Sequence, residues 1–232
     1  MKYDNVVSAK FIERPNRFIA KVDIDGKIET VHVKNTGRCK EILIPGCTVY
    51  LSESKNLARK TKFDLIAVEK NRKNFSPLLI NMDSQAPNQA MEEWLKKGNL
   101  FSMTANIRRE VKYNNSRFDF FVSDGDRKIF LEVKGVTLEE KGVALFPDAP
   151  TDRGIKHINE LMKCMTDGYE AYLFFVIQMK EIIQFSPNYK THVEFGKVLC
   201  EAQKAGVNII AVDCRVTTNS MDIDEYVPVK LL

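Results

Sequence analysis

From Val6 to about Met82 apolar and polar residues alternate in short runs broken by turn residues. RFIAKVDI and KIETVHV flank Asp25-Gly26, a strong two-residue hairpin signal. EILIPGCTVYLSES turns at Pro45-Gly46, and KFDLIAVEKN follows. Five or so strands with no long helical period predict a small closed or partly closed barrel, and an OB-like barrel is one candidate.

The pattern changes after Met82. PNQAMEEWLKKGN places Ala90, Met91, Trp94 and Leu95 on one helical face and stops at Gly98. IRREVKY reads as a strand, and SRFDFFVSDGDRKIFLEVK as a hairpin about Asp124-Gly125. PTDRGIKHINELMKCMTDG is helical, capped by Thr151 or Asp152, with Ile155, Ile158, Leu161 and Met162 as its apolar stripe. AYLFFVIQ and VNIIAVDC are continuous apolar runs, as in strands buried on both faces, and HVEFGKVLCEAQKAG between them is a helix. The expectation is a two-domain α+β / α/β chain. Residues 1–82 form the β-barrel, and residues 83–232 form an α/β domain around a mixed sheet.

Charge sharpens that division. Residues 1–82 hold 16 Lys and Arg against 9 Asp and Glu, and residues 83–232 hold 19 against 22. A basic first unit beside a mildly acidic second points to a polyanionic partner, or to an evenly solvated basic surface. No apolar run approaches the roughly 20 residues that span a bilayer, and the N-terminus lacks the apolar centre of a signal peptide. A cytoplasmic protein without membrane contact is therefore expected. Five cysteines without a C-x-x-C pair indicate neither a zinc site nor a disulfide framework.

The hairpin carries the chemistry. In IFLEVKGV, Glu132 and Lys134 emerge on one face roughly 7 Å apart, at twice the rise per residue. Asp119 lies on the partner strand and can reach the same end. Two carboxylates beside a lysine suit a metal-dependent phosphodiesterase. Magnesium takes hard oxygen ligands, and a lysine stabilises charge on phosphoryl oxygens. Cross-strand ion pairs on a solvated face use the same residues, and spacing alone favours them.

The stretches NTGRCKEILIPGCTVYLSES, RKTKFDL, REVKYNNSRFDFFV, FLEVKGVTL and FPDAPTDRGIKHINELM resemble the sugar fermentation stimulation protein A (SfsA) family across nearly the whole chain. That resemblance implies a DNA-binding protein with an N-terminal OB-like domain and a C-terminal domain similar to PD-(D/E)XK nucleases. It implies catalytic residues Asp119, Glu132 and Lys134, and metal ligands Asp119, Glu132 and an upstream acid. Glu110 fits that acid best, with Glu92 and Glu93 as rivals. Phe118 stands where the nuclease signature has Pro, a departure that leaves the ligands intact. Mg²⁺ or Mn²⁺ is the implied cofactor, and DNA, single-stranded or structured, the implied partner. A non-catalytic DNA-binding regulator of sugar-metabolism genes that retains the fold is the alternative.

Other residues could meet that partner. Arg153, Lys156 and His157 fall at i, i+3 and i+4 at a helix N-terminus, where exposed amides attract phosphate. Asp148 just before that helix is an outer partner or a further acid. Gln178 is a core amide or a cleft residue. In the first domain Arg38, Lys40, Arg59, Lys60 and Lys62 are the candidate nucleic-acid contacts, with Phe63 and Phe75 as stacking platforms or core. His32 lies on a polar strand face and reads as structural. No Ser-His-Asp grouping and no glycine-rich phosphate loop is present, so triad hydrolases and nucleotide-cofactor enzymes are unsupported.

Overall fold

The computed structural model describes residues 1–35, 37–56, 58–73 and 75–232. Six strands come first, β1 (Val6–Glu13), β2 (Ile19–Ile24), β3 (Lys27–Val33), β4 (Thr48–Glu53), β5 (Phe63–Arg72) and β6 (Phe75–Asn81). They lie in the order β3-β2-β1-β4-β5-β6, and a parallel pairing of β3 with β5 closes β1–β5 into a five-stranded barrel. Alternation makes this barrel: Ala20, Val22, Val31, Val33, Val49 and Leu51 point inward and are at most 1% exposed.

Helix α1 (Ala86–Lys96) leads into β7 (Asn106–Tyr113), β8 (Ser116–Asp124) and β9 (Arg127–Val136). The short strands β10 (Leu138–Glu140) and β11 (Val143–Phe146) precede α2 (Asp152–Thr166), β12 (Glu170–Ile177) and β13 (Gln184–Pro187). Helix α3 (Val193–Lys204), β14 (Asn208–Thr217) and β15 (Ser220–Val227) complete the chain. The main sheet is ordered β15-β14-β12-β9-β8-β7, with β9, β12 and β14 parallel and the outer pairs antiparallel. Both predicted continuous runs are central strands here, and β12 is buried from Ala171 to Ile177. Strands β10, β11 and β13 form a separate three-stranded sheet.

The two faces of the sheet have different partners. Leu131, Val133, Phe174 and Val176 pack with Met91, Trp94 and Leu95 of α1. Phe121, Phe130, Leu173 and Phe175 pack with Ile158 and Leu161 of α2 and Phe195 of α3, in a core continuous with the barrel. Glu132 lies between Leu131 and Val133 in β9, so it points to the α2 face. No helix among the described residues is long and apolar enough to cross a membrane.

Charged residues lock the barrel to the second sheet. Lys70 Nζ donates at 2.6 Å to both the carbonyl and the carboxylate of Glu139, and Arg72 meets Glu181 at 2.9 Å. Glu139 is 6% exposed, so removing Lys70 strands a buried charge. Breaking such a pair costs about 3 kcal/mol, and removing both partners costs less. Lys70→Ala is expected to lower the Tm by about 6 °C or more. Lys70→Ala/Glu139→Ala should recover part of that loss, and a double variant no better than the single would contradict this account.

Candidate phosphodiester-cleaving site

The β8–β9 hairpin opens at one end. Backbone pairing runs from Asp124–Arg127 to Phe120–Leu131 and stops there. Beyond it the Asp119 side chain enters the seam, and its Oδ2 accepts from Val133 N at 2.8 Å. Its Oδ1 accepts from Asn88 Nδ2 of α1 at 2.8 Å. Burial, with the nearby charge of Glu132, pushes the Asp119 carboxyl up to about 6.

Glu132 is 2% exposed. Its Oε1 accepts from Lys134 Nζ and from His157 Nδ1, each at 2.5 Å. Burial works to raise its pKa, but Lys134 and His157 overcome burial and hold the carboxyl below its ordinary value. The other oxygen, Oε2, is buried with no hydrogen-bond partner among the described residues. Both predicted neighbours, Asp119 and Lys134, line one cleft of about 480 Å³ with Glu132, Glu110, Arg117, Asn88, Arg153 and His157.

The three candidate upstream acids lie in different places. Glu110 lines the cleft, whereas Glu92 is held by Lys96 and Arg109 and Glu93 by the N-terminal amine. Glu110 has φ +54°, in the left-handed region, between the Arg109–Phe120 and Val111–Phe118 pairs. Non-glycine residues held there cost on the order of 1–3 kcal/mol and cluster at functional sites. Its Oε2 is 3.4 Å from Arg117. Among the described residues no three His, Cys, Asp or Glu side chains converge as a ligand cluster, so Glu110 does not join the two carboxylates as a third ligand in this geometry.

The basic face predicted on α2 divides. Thr151 caps the helix by accepting from Gly154 N at 3.0 Å. Arg153 projects into the cleft. Lys156 turns away and donates to the carbonyl of Asn115 at 3.0 Å, while His157 is buried against Glu132 and the edge of Phe118. Residues 156 and 157 differ by about 100° around a helix, enough to face opposite walls. Phe118, in the place of the signature proline, is fully buried and packs on Tyr113 and Phe130.

Most cations between Lys55 and Lys73, the stretch that holds the candidates Arg59, Lys60 and Lys62, are paired with carboxylates. Arg59 grips Asp64 at 2.8 Å with Ser54 and Thr61 as further acceptors, and His32 Nδ1 meets the same Asp64 at 2.9 Å. Lys55 pairs with Asp4, Lys62 with Glu53, Lys70 with Glu139 and Arg72 with Glu181. Lys60 is exposed with no carboxylate partner among the described residues. Phe63 is half-buried against the core, and Phe75 is 72% exposed. Arg38 and Lys40 line a separate pocket of about 430 Å³ with Arg14, Arg17 and Ala149. Arg14 shapes it by donating to the carbonyls of Asn35, Gly37, Arg38 and Arg17. Arg17, Arg117 and Asn88 were missed from sequence, where nothing but residue type marks them.

Asp148 lies outside the cleft. It lines an adjoining cavity with Asn35, Gly37, Thr137 and Gln178. Gln178 is a core amide that also borders this cavity: its Nε2 donates to Asn81 O, Asn81 Oδ1 and Asp83 O.

Residues 12–75 match the family model described as "SfsA N-terminal OB domain", and residues 85–220 match "Sugar fermentation stimulation protein RE domain". The chain belongs to the SfsA family. A sugar fermentation stimulation protein homolog of Desulfitobacterium hafniense (strain DSM 10664 / DCB-2) is 57% identical over 232 residues, covering 100% of this chain and 99% of that one. One from Clostridium beijerinckii is 56% identical, with 100% of both chains covered. A solved structure described as "The structure of Pyrococcus Furiosus SfsA in complex with Ca2+" is 29% identical. It has a TM-score of 0.87, with 99% of this chain and 98% of that chain covered.

Proposed function

We propose that this family member is a DNA-binding protein of low sequence specificity whose cleft hydrolyses phosphodiesters with Mg²⁺ or Mn²⁺. The observation that carries the reading is Glu132 Oε2, a buried carboxylate oxygen with no partner among the described residues, beside a second carboxylate already pushed toward protonation. Burying an unmatched acceptor is costly, and two carboxylates repel; a divalent cation answers both. Magnesium commonly binds through one or two carboxylates plus water and substrate phosphate, so Asp119 and Glu132 suffice. The Pyrococcus relative is described in complex with Ca²⁺, a divalent cation that also takes oxygen ligands.

A cation bound there supplies a more acidic water and a polarised phosphate. The chain supplies the rest. His157 and Lys134 hold Glu132 by Oε1, so Oε2 is the oxygen that would serve a cation. Asn88 and Val133 N fix the Asp119 carboxylate. Lys134 Nζ, half-buried at the cleft wall, offers a positive charge to phosphoryl oxygens, and Arg153 and Arg117 offer further phosphate contacts. Arg38, Lys40 and Arg17 hold the backbone beyond the cleft without reading sequence.

The test is incubation of the purified protein with single-stranded, duplex and branched DNA in Mg²⁺ or Mn²⁺, beside Glu132→Ala and an EDTA control. Metal-dependent cleavage absent from Glu132→Ala supports the reading. Equal cleavage by both proteins means contamination, and binding without cleavage on every substrate means a regulator. For the basic surface, Arg38→Ala/Lys40→Ala is expected to flatten the slope of log affinity against log salt by about 1.4 on single strands. Arg59→Ala should leave that slope alone and lower the Tm, because its guanidinium serves Asp64. A slope changed only by Arg59→Ala would reverse this assignment.

A further inference from the structure

A groove of about 660 Å³ runs between the barrel and the small sheet, and it shares no lining residue with the cleft or with the Arg38–Lys40 pocket. The β5–β6 turn forms one wall, and the β10–β11 turn with the segment after β12 forms the other. Two large apolar side chains line it in the open: Phe75 is 72% exposed and Ile183 is 68% exposed. Single exposed apolar residues are ordinary, whereas two in one groove give a partner something to bury.

The groove is already formed. The Lys70–Glu139 and Arg72–Glu181 pairs tie its walls together. Gly142 N donates to Glu139 Oε1 at 2.6 Å, and Ile183 N donates to the carbonyl of Gly142 at 2.9 Å. Gly142 has φ +82°, and a Cβ there would lie 3.4 Å from Ile183 Cγ1, so glycine also leaves Ile183 its place.

Charge narrows the partner. The walls carry four cations and two carboxylates. Lys70 and Arg72 are engaged by Glu139 and Glu181. Lys73 and Lys141 are exposed and have no carboxylate partner among the described residues. Lys141 stands first in the two-residue turn between β10 and β11 with φ +52°, where Asn, Asp or Gly is the ordinary choice. A lysine held in that conformation fits a site better than it fits a turn.

We propose that this groove docks an acidic peptide segment of a partner protein. An apolar side chain of the segment packs on Phe75 and Ile183, and its carboxylates meet Lys73 and Lys141. A nucleic acid strand would meet the same lysines, but strands are held by stacking on aromatic faces. Here the Arg72 guanidinium lies over the Phe75 ring, 5.7 Å from its centroid, and Ile183 offers no ring. An aliphatic side chain beside an aromatic edge suits a leucine, isoleucine or phenylalanine anchor, and a few such anchors carry most of the energy of an interface. The proposal does not depend on the chemistry of the cleft.

Fluorescence anisotropy of short labelled peptides on the full-length protein tests it. Acidic peptides with a central Leu, Ile or Phe are compared with one carrying Ser there, one with Lys in place of the acids, and an oligothymidylate of about ten nucleotides. The best apolar acidic peptide is expected to bind at least about tenfold tighter than the serine or lysine peptide. Phe75→Ser and Ile183→Ser should each weaken it about tenfold with the Tm nearly unchanged, because both side chains are exposed. Arg38→Ala/Lys40→Ala should leave it unaltered. Lys73→Glu/Lys141→Glu should lose the acidic peptide and gain the lysine peptide, a gain that misfolding cannot produce. Apolar acidic peptides no tighter than the serine control, or acidic binding that survives the charge reversal, overturn the proposal. Oligothymidylate binding lost in Phe75→Ser, with peptide binding unchanged, would assign the groove to nucleic acid and overturn it as well.

Discussion

Lys134→Gln is expected to reduce metal-dependent cleavage by about 10²- to 10³-fold, the usual cost of removing one charge-stabilising donor from a site. The choice of variant matters because Lys134 has two tasks. It donates to the buried Oε1 of Glu132, and its charge helps hold that carboxyl below its ordinary value. Lys134→Ala would abolish both and destabilise the fold by about 3 kcal/mol, through a buried carboxylate left with His157 alone. Glutamine keeps an N–H for Glu132 without the charge. Cleavage should thus fall far more than the Tm. Cleavage that falls only in proportion to the fraction unfolded, in both variants, would make Lys134 a structural residue.

The hairpin was legible in the sequence for a simple reason. Side-chain direction alternates along a strand, so Glu132 and Lys134 had to share a face, and Asp124-Gly125 had to fold Asp119 back toward them. The long central strands were equally plain, because a strand buried on both faces is written as a continuous apolar run. Strands of three or four residues, such as β10 and β13, are too short to show a period, and β15 is a charged edge strand whose SMDIDEYV hardly stands out.

What composition could not show was charge pairing over distance. Lys70 finds Glu139 69 residues away, and Arg72 finds Glu181. Arg59 and Lys62 therefore read as free nucleic-acid contacts, while the fold pairs each with a carboxylate. Among the described residues Arg38 and Lys40 have no carboxylate partner, and Arg17 joins them from the β1–β2 turn at the rim of one pocket. The same limit hid Asn88 and His157 as supports for the carboxylates. Each comes from a helix remote in sequence from the strand it serves, and no local pattern records a contact between them.

Asp119→Asn is expected to stabilise the metal-free protein while disabling it. Burial and Glu132 raise the Asp119 carboxyl from an ordinary 3.8 to about 6 in the folded chain. The folded state therefore holds this proton more tightly than the unfolded state. Its contribution to stability is greatest below pH 3.8 and is lost as pH rises to about 6, after which the deficit is constant. Two units correspond to about 3 kcal/mol, or about 6 °C in Tm for a chain of this size. In EDTA at pH 7.5 the asparagine variant should melt higher than the unmutated protein, and the gap should close as pH falls toward 4. Added Mg²⁺, Mn²⁺ or Ca²⁺ should reverse the order, because a cation that binds only the folded dicarboxylate raises its stability by mass action. The asparagine variant, one carboxylate short, should gain little. A metal-free Tm that drops on substitution would show that the Asp119 charge supports the fold, and the case for a cation between the two carboxylates would go with it.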